Sequence, residues 1–147
     1  LPIQICQFHQ MKTVTRYLTR KPQTKAGQEL RSITLGLTRD SAVAFADRLK
    51  VWRDRWHEFL NERTPCPCCK PSRWPYTHRK LRAAHRSLIT NLPWLFTYQK
   101  YPELNIPNTT NCLDGMFSQI KNRLAVHRGL RRDRRYKLIK EILSGRN

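Results

Sequence analysis

The sequence predicts a mainly α-helical fold with one short strand near its N-terminal end. Apolar residues recur at helical spacing in several long segments, whereas only residues 3–6 read as a strand. Four Trp, five Phe and five Tyr can bury large areas, which argues against a disordered chain. At 147 residues the chain is long enough for one domain with a real core.

The first half of the chain indicates three helices. Residues 12–19 form a short helix after the strand, and residues 28–37 carry apolar residues at helical spacing. An Asp-Ser pair ending at Ser41 is a capping signal, after which a long helix runs to about residue 62. Asp47 and Asp54 lie seven residues apart, and a solvated, salt-bridged face is expected for them with their neighbours Arg48, Arg53 and Arg55. Its apolar face consists of Phe45, Leu49, Trp52, Trp56, Phe59 and Leu60.

The second half begins with a loop at residues 64–75, which is rich in proline and cysteine. Thr77 then caps a second long helix, and residues 92–107 form a winding connector. The next helix is closed by Gly129, and a last helix ends at Gly145. The helix before Gly129 has an apolar stripe that consists of Leu113, Met116, Phe117, Ile120 and Leu124.

The net charge of the chain is +19, from 29 basic and 10 acidic residues. Such an excess repels itself, and an acidic partner would relieve the repulsion. Nucleic acid is the first candidate, because each neutralised phosphate releases counterions. The alternative is a ribosomal-type or merely soluble basic protein. The residues expected to contact DNA are Arg79, Lys80, Arg82, Arg86, Lys121, Arg123, His127, Arg128, Arg131, Arg132, Arg134 and Arg135.

The cysteines indicate reduced thiols in a cytosolic setting. There are five, an odd number, and three of them crowd together at Cys66, Cys68 and Cys69. A disulfide framework needs spaced, even pairs, so this pattern does not predict one. No apolar run approaches the ~18 residues of a membrane span, and no signal peptide is visible. The role of the crowded cysteines stays open.

Cys6 and His9 form a C-x-x-H pair at the turn between the predicted strand and the first helix. Both side chains are zinc ligands, and this spacing lets them reach one ion. Zinc takes about four ligands, and the others could come from residues 66–69, His78 or His85. The alternative is a structural cysteine beside a hydrogen-bonded histidine.

Asp114 is the one carboxylate in the basic helix that precedes Gly129. In the first turn of a helix a carboxylate meets unpaired N–H groups and a favourable dipole, and this alone accounts for an Asp there. The functional alternative is a ligand of Mg²⁺, which takes carboxylate and phosphate oxygens. Ser118 and Lys121 lie on the same face of the helix, where Lys121 could steer a phosphate.

Four segments of the sequence resemble a known family. Residues 108–121, NTTNCLDGMFSQIK, followed by HRGL at residues 127–130, resemble the last catalytic block of bacterial insertion-sequence transposases. These transposases belong to the Mutator-like DDE/D group. Residues 3–9, IQICQFH, resemble the C-x-x-H motif of the group. YTHRKLR at residues 76–82 and NLPWLFTY at residues 91–98 resemble the middle of the same proteins.

The resemblance implies a ribonuclease-H-like α/β domain, of which this chain is the C-terminal portion. Residues 1–20 would end the ribonuclease-H-like core. Residues 21–107 would be a helical insertion that contains the loop at residues 64–75. Residues 108–147 would hold the acidic catalytic helix and a basic C-terminal helix.

The resemblance also implies that Asp114 is the third acidic residue of a catalytic triad, a position usually held by Glu. The cofactor would be Mg²⁺, with Mn²⁺ as a substitute, and Asp114 would be one of its ligands. The two other catalytic Asp residues would precede Cys6, so this chain alone is expected to bind metal poorly and not to cut DNA. The implied partners are transposon ends and target DNA, with a homo-oligomer of the full-length protein on the bacterial nucleoid.

Two alternatives from other classes stay open. The chain could be a non-catalytic basic DNA-binding protein derived from a transposase. It could also be a small nucleic-acid-binding module that zinc stabilises at Cys6 and His9.

Overall fold

The chain divides into two units, Leu1–Thr109 and Thr110–Asn147. The structure, a computed structural model, describes residues 2–68, 70 and 73–144. Besides a short 3-10 helix at Pro102–Leu104, the helices of the first unit are α1 (Gln7–Leu18), α2 (Lys25–Leu35), α3 (Ala42–Arg55), α4 (His57–Asn61), α5 (Arg79–Leu95) and α6 (Thr97–Lys100). The second unit contains α7 (Asn111–Val126) and α8 (Arg132–Ser144). The three-part division expected from the sequence stays a prediction.

The predicted strand at residues 3–6 is absent, and the α/β fold class is therefore wrong. In the described part of the chain there is no strand and no sheet, only one isolated antiparallel bridge between Arg63 and Tyr76. The segment at residues 3–6 is irregular, and its backbone bonds to the end of α5 instead of to a second strand. The N–H of Ile5 donates to the carbonyl of Trp94 at 2.9 Å, and the Thr97 hydroxyl donates to the carbonyl of Ile3 at 2.6 Å.

Helices α1, α2 and α3 follow the predicted pattern with shifted ends, whereas α4 was not predicted as a separate helix. The side chain of Ser41 accepts a hydrogen bond from the N–H of Ala44 at 3.2 Å, so the predicted cap of α3 is confirmed. The long helix expected to reach residue 62 is broken at Trp56, where φ is −101° and ψ is 16°. Helix α1 begins at residue 7, five residues earlier than predicted, because its first turns also pack inward.

Helix α5 differs from its prediction at both ends. The residue before its first turn is His78 rather than Thr77, and no side chain caps it. At the other end, Pro93 lies inside the helix, which continues to Leu95, so part of the predicted connector is helical. Pro93 removes one N–H from the hydrogen-bond ladder, and α5 ends two residues after it.

The core of the first unit lies where α1 and α3 pack against α5 and α2 packs against α1 and α3. Trp52 is its largest side chain, and its indole N–H donates to the carbonyl of Ala26 at 3.0 Å. A polar bridge also crosses this core, because the Gln10 amide donates to Ser87 at 3.1 Å and accepts from Asn91 at 2.7 Å. The buried apolar residues of the first unit's core are Val14, Leu18, Ala26, Leu30, Leu37, Phe45, Leu49, Trp52, Leu60, Leu81, Ala84, Leu88, Leu95 and Phe96.

The predicted loop at residues 64–75 is fastened at its base. The N–H of Thr64 donates to the carbonyl of Pro75 at 3.0 Å, and the N–H of Thr77 donates to the carbonyl of Glu62 at 3.0 Å. Within the loop, the Sγ atoms of Cys66 and Cys68 lie 2.8 Å apart. The third cysteine of the run, at position 69, lies outside the described residues.

The second unit consists of α7 and α8, which pack on each other. On the predicted apolar stripe, Ile120 is buried and Phe117 is exposed, while the side chain at position 113 is not described. Helix α7 ends at Val126, where the N–H of His127 bonds to the carbonyl of Leu124, so the helix stops before the predicted Gly129. The predicted end of the last helix at position 145 lies outside the described residues.

The helices do not include a membrane-spanning candidate. Within residues 2–68, 70 and 73–144, none combines the length and the apolar character that a bilayer crossing needs.

Candidate nucleic-acid interface

The outer side of α5 presents a group of basic side chains, Arg79, Lys80, Arg82 and Arg86, here called the α5 basic face. All of these side chains are exposed except Arg82, which is half-buried. On the inner side, Leu81, Ala84 and Leu88 are buried in the core. The helical period thus places the cations on the solvent side of α5. Because the opposite side of the helix is packed in the core, the spacing of the cations is fixed.

Arg82 is held in place by the residues around it. Its Nη1 donates to the carbonyl of Leu60 at 2.8 Å and to Oδ1 of Asn61 at 3.0 Å. Its guanidinium carbon lies 3.6 Å from the ring centroid of Tyr76, and the guanidinium of Arg63 lies 3.8 Å from the same ring. Such cation–π contacts orient the guanidinium before any ligand arrives. Arg82 therefore gives the α5 basic face a fixed positive charge.

A second group of arginines surrounds the first turn of α8, namely Arg131, Arg132, Arg134 and Arg135, here called the α8 basic cluster. All four side chains are exposed. Cations at the N-terminus of a helix oppose its dipole, and like charges three or four residues apart repel. Asp133 is the acidic residue in this turn. An anion bound at this cluster would relieve both penalties.

Four further residues predicted to contact DNA lie on α7 and in the turn after it. They are Lys121, Arg123, His127 and Arg128, and every one is exposed. The interface residues expected from the sequence are thus at the surface, with Arg82 the half-buried one. Whether they contact DNA stays a prediction.

The carboxylates of the described residues do not neutralise these basic groups. Their ion pairs join Arg48 to Asp40 at 3.0 Å and Arg55 to Glu29 at 3.3 Å, and His78 lies 2.8 Å from Glu62. Within the described part of the chain, no residue of the α5 basic face or of the α8 basic cluster has a carboxylate within ion-pair distance. The positive charge at both places is therefore available to an anionic partner.

Asp114 is exposed in the first turn of α7. Its N–H donates to the carbonyl of Thr110 at 2.8 Å, and the Thr110 hydroxyl lies 3.5 Å from its Oδ2. Among the described residues, no group of three or more His, Cys, Asp or Glu side chains is close enough to hold a metal ion. Mg²⁺ is usually held by one or two carboxylates together with phosphate oxygens and water, and Asp114 can supply one such carboxylate. Its catalytic role stays a prediction.

The two residues of the C-x-x-H pair differ in burial. Cys6 is buried at the start of α1, whereas His9 is exposed and its ring lies 6.1 Å from that of Phe8. The histidines considered as further zinc ligands contact aromatic rings instead, His78 that of Phe59 at 3.7 Å and His85 that of Trp52 at 5.2 Å between centroids. The zinc site therefore also stays a prediction.

Arg53 and His85 line the same cavity in the structure, which the sequence pattern does not predict. The sequence assigned Arg53 to a solvated face, but the structure places it between α3 and α5, with its Nη1 atom buried. His85 belongs to a helical stripe with Arg82, Arg86 and Ile89, and all of these side chains line one cavity with Arg53. The stripe is visible in the sequence at spacings of three, four and seven residues. The contribution of Arg53 depends on how α3 packs, which the sequence does not show.

Comparison of the chain with family models, with curated proteins and with solved structures gives no match.

Proposed function

We propose that this chain binds DNA along its phosphate backbone, as the C-terminal part of a metal-dependent DNA transposase. The observation that carries the proposal is the set of exposed cations in the α5 basic face and the α8 basic cluster. Within the described residues these cations have no carboxylate partner. Lys and Arg side chains that neutralise phosphates release counterions, and this release supplies most of non-specific DNA affinity.

The binding proposed here is independent of base sequence. Phosphate contacts fix the position of a protein on a duplex but carry no base information. Both basic groups are made mostly of Arg, whose planar guanidinium matches phosphate geometry. The cost of crowding four arginines at the start of α8 favours phosphate as the group that relieves it.

The transposase part of the proposal rests on residues 108–121 and 127–130. Asp114 would contribute one ligand to Mg²⁺ or Mn²⁺, and a longer parent protein would supply the other carboxylates. A bound divalent cation activates an attacking oxygen and stabilises the leaving oxygen of a phosphodiester. Lys121, exposed two turns further along α7, would hold a DNA phosphate beside Asp114. Such a protein would act on transposon ends and target DNA at the bacterial nucleoid, as a homo-oligomer.

A second candidate function is DNA binding without catalysis. The observation that favours it is that, in the described part of the chain, Asp114 belongs to no group of three or more His, Cys, Asp or Glu side chains that could hold a metal ion. A strand-cleavage assay on the longer parent separates the two candidates. The zinc-stabilised module is tested by metal analysis of the purified protein, which would find about one zinc per chain if Cys6 and His9 bind it.

The proposal is tested by the salt dependence of duplex binding. If about six phosphates are contacted, the logarithm of the association constant should fall with the logarithm of salt concentration at a slope of about −5. The measurement is fluorescence anisotropy of a labelled duplex of unrelated sequence, from low to physiological ionic strength. Affinity that does not change with salt would overturn the proposal.

A further inference from the structure

A small cavity of about 230 Å³ lies between α3, α4 and α5. Its volume is below the ~300–1,000 Å³ of pockets for drug-sized ligands, so it suits a single small group. No carboxylate lines it, and half of its lining residues are arginines. The lining residues are Arg53, Leu60, Arg82, His85, Arg86 and Ile89.

Two of the side chains that line the cavity, Arg53 and His85, each carry a buried polar atom without a hydrogen-bond partner among the described residues. Within residues 2–68, 70 and 73–144, nothing bonds to Nη1 of Arg53 or to Nε2 of His85. Buried polar groups are nearly always paired, because leaving one unpaired costs stability. Both atoms belong to side chains that can donate, since Arg carries only donors and a neutral imidazole can carry its proton on Nε2.

The neighbours of these atoms keep the cavity positive and ordered. The His85 ring stacks on Trp52, with 5.2 Å between centroids and 28° between planes. Arg82 is fixed by its bonds to α4 and adds charge without moving. Arg86 is exposed one helical turn beyond Arg82, at the edge of the cavity. An anion that entered would meet arginine side chains from two helices, α3 and α5.

We propose that this cavity is a recessed site for one phosphate group of the DNA backbone, with Arg53, His85 and Arg86 as its donors. This inference rests on the proposed function and adds to it a defined contact point on α3 and α5. It differs from the surface cations, because the phosphate would be partly withdrawn from water. Charge-assisted bonds to a partly desolvated phosphate are stronger than those at an exposed lysine or arginine.

The proposal has a consequence for the protonation of His85. Burial, and then the charges of Arg53 and Arg82, lower the pKa of His85 to about 4, so the imidazole is neutral at pH 7. The charged groups that face His85 are Arg53 from α3 and Arg82 and Arg86 from α5, while α4 contributes the apolar Leu60. A bound phosphate would offset the repulsion from these arginines and raise the pKa of His85.

The experiment follows the imidazole of His85 by NMR in the full chain. Its resonance is assigned with the variant His85→Phe and titrated with pH alone, with a duplex lacking terminal phosphates, and with inorganic phosphate. We expect the duplex to raise the pKa of His85 by one unit or more. We also expect Arg53→Gln to make the salt slope of duplex binding shallower by about one. Arg16→Gln, which removes the same charge from the surface of α1, should leave the slope unchanged.

The outcomes separate this inference from the proposed function. If the duplex binds with the expected salt slope but the pKa of His85 does not move, the cavity site is wrong and the proposed function stands. If no duplex binds, the proposed function fails and the cavity site fails with it. A response to inorganic phosphate without a response to the duplex would also contradict a backbone phosphate as the ligand. Because the histidine measurement uses the unchanged chain, it decides the matter even if Arg53→Gln does not fold.

Discussion

At the scale of single residues, the pKa of His85 departs clearly from its ordinary value. Its pKa is lowered from 6.5 to about 4, first by burial and then by Arg53 and Arg82. The folded chain therefore binds a proton at His85 less readily than the unfolded chain does. The contribution of neutral His85 to the free energy of unfolding is fully present above pH 6.5 and is lost as the pH falls toward 4.

We predict that the melting temperature falls between pH 6.5 and pH 4, and that His85→Phe removes part of this fall. Phe keeps the ring stacked on Trp52 but cannot take up a proton. Because the imidazole is partly open to solvent, we expect its share to be roughly 1–2 kcal/mol. Thermal melts followed by circular dichroism measure it, with the exposed His57→Phe as control. An unchanged pH dependence in His85→Phe would contradict the assignment.

Asp114 gives a second prediction at this scale. The carboxylate is exposed at the start of α7, so Asp114→Asn should cost the fold less than ~1 kcal/mol, the size of a dipole interaction. In a parent protein that carries the other carboxylates, the same change should abolish strand cleavage and leave DNA binding nearly intact. Removing a metal ligand removes stabilisation of the transition state. Cleavage at a near-normal rate would reduce Asp114 to a residue that stabilises the helix start.

At the scale of elements, residues 3–6 show where sequence reasoning reaches its limit. The alternation of Ile3 and Ile5 with polar neighbours is typical of a strand, but a strand also needs a partner. The end of α5 offers the bonds instead, through Trp94 and Thr97. Local pattern reveals what a segment prefers, whereas the identity of its partner depends on how distant elements pack.

Helix ends could be predicted where a side chain determines them and not elsewhere. The cap at Ser41 was predicted correctly, because the cap and the helix are adjacent in sequence. The break at Trp56 and the continuation of α5 through Pro93 were not predicted. Both depend on contacts with the core rather than on the local residues.

The polar bridge between α1 and α5 gives the prediction at this scale. Gln10 is buried and bonds to both Ser87 and Asn91, so Gln10→Ala removes two hydrogen bonds and takes away the partner of two half-buried polar groups. We expect a loss of about 1–3 kcal/mol in the free energy of unfolding by urea. The control is Gln28→Ala, because Gln28 makes a single exposed bond to Pro22. Equal losses for both variants would show that the bridge does not hold the two helices together.

At the scale of the whole molecule, the charge of +19 is the property that the sequence reveals most directly. Net charge is additive, so it needs no knowledge of the fold, and the exposed arginines of α5 and α8 follow from helical periodicity. The cavity beside His85 could not be predicted, because Arg53 reaches it only through the packing of α3 on α5. Sequence thus predicts a basic surface, and structure is needed to locate a recessed site within it.

The central claim, that the cations of this chain bind DNA phosphates, is tested most directly by two triple variants. One carries Arg131→Gln, Arg134→Gln and Arg135→Gln in the α8 basic cluster. The matched control carries Arg16→Gln, Arg20→Gln and Arg39→Gln, which remove three exposed arginines outside the predicted interface.

Removing the arginines of the α8 basic cluster should not weaken α8, because they oppose its dipole. The measurement is the salt slope of duplex binding, by fluorescence anisotropy, for both variants and the unchanged chain. Each lost phosphate contact should make the slope shallower by roughly 0.9, so the α8 variant, which loses three arginines, should have a slope shallower by about 2–3. The control should have an unchanged slope. Equal slopes for the two variants, or binding that ignores salt in the unchanged chain, would contradict the claim.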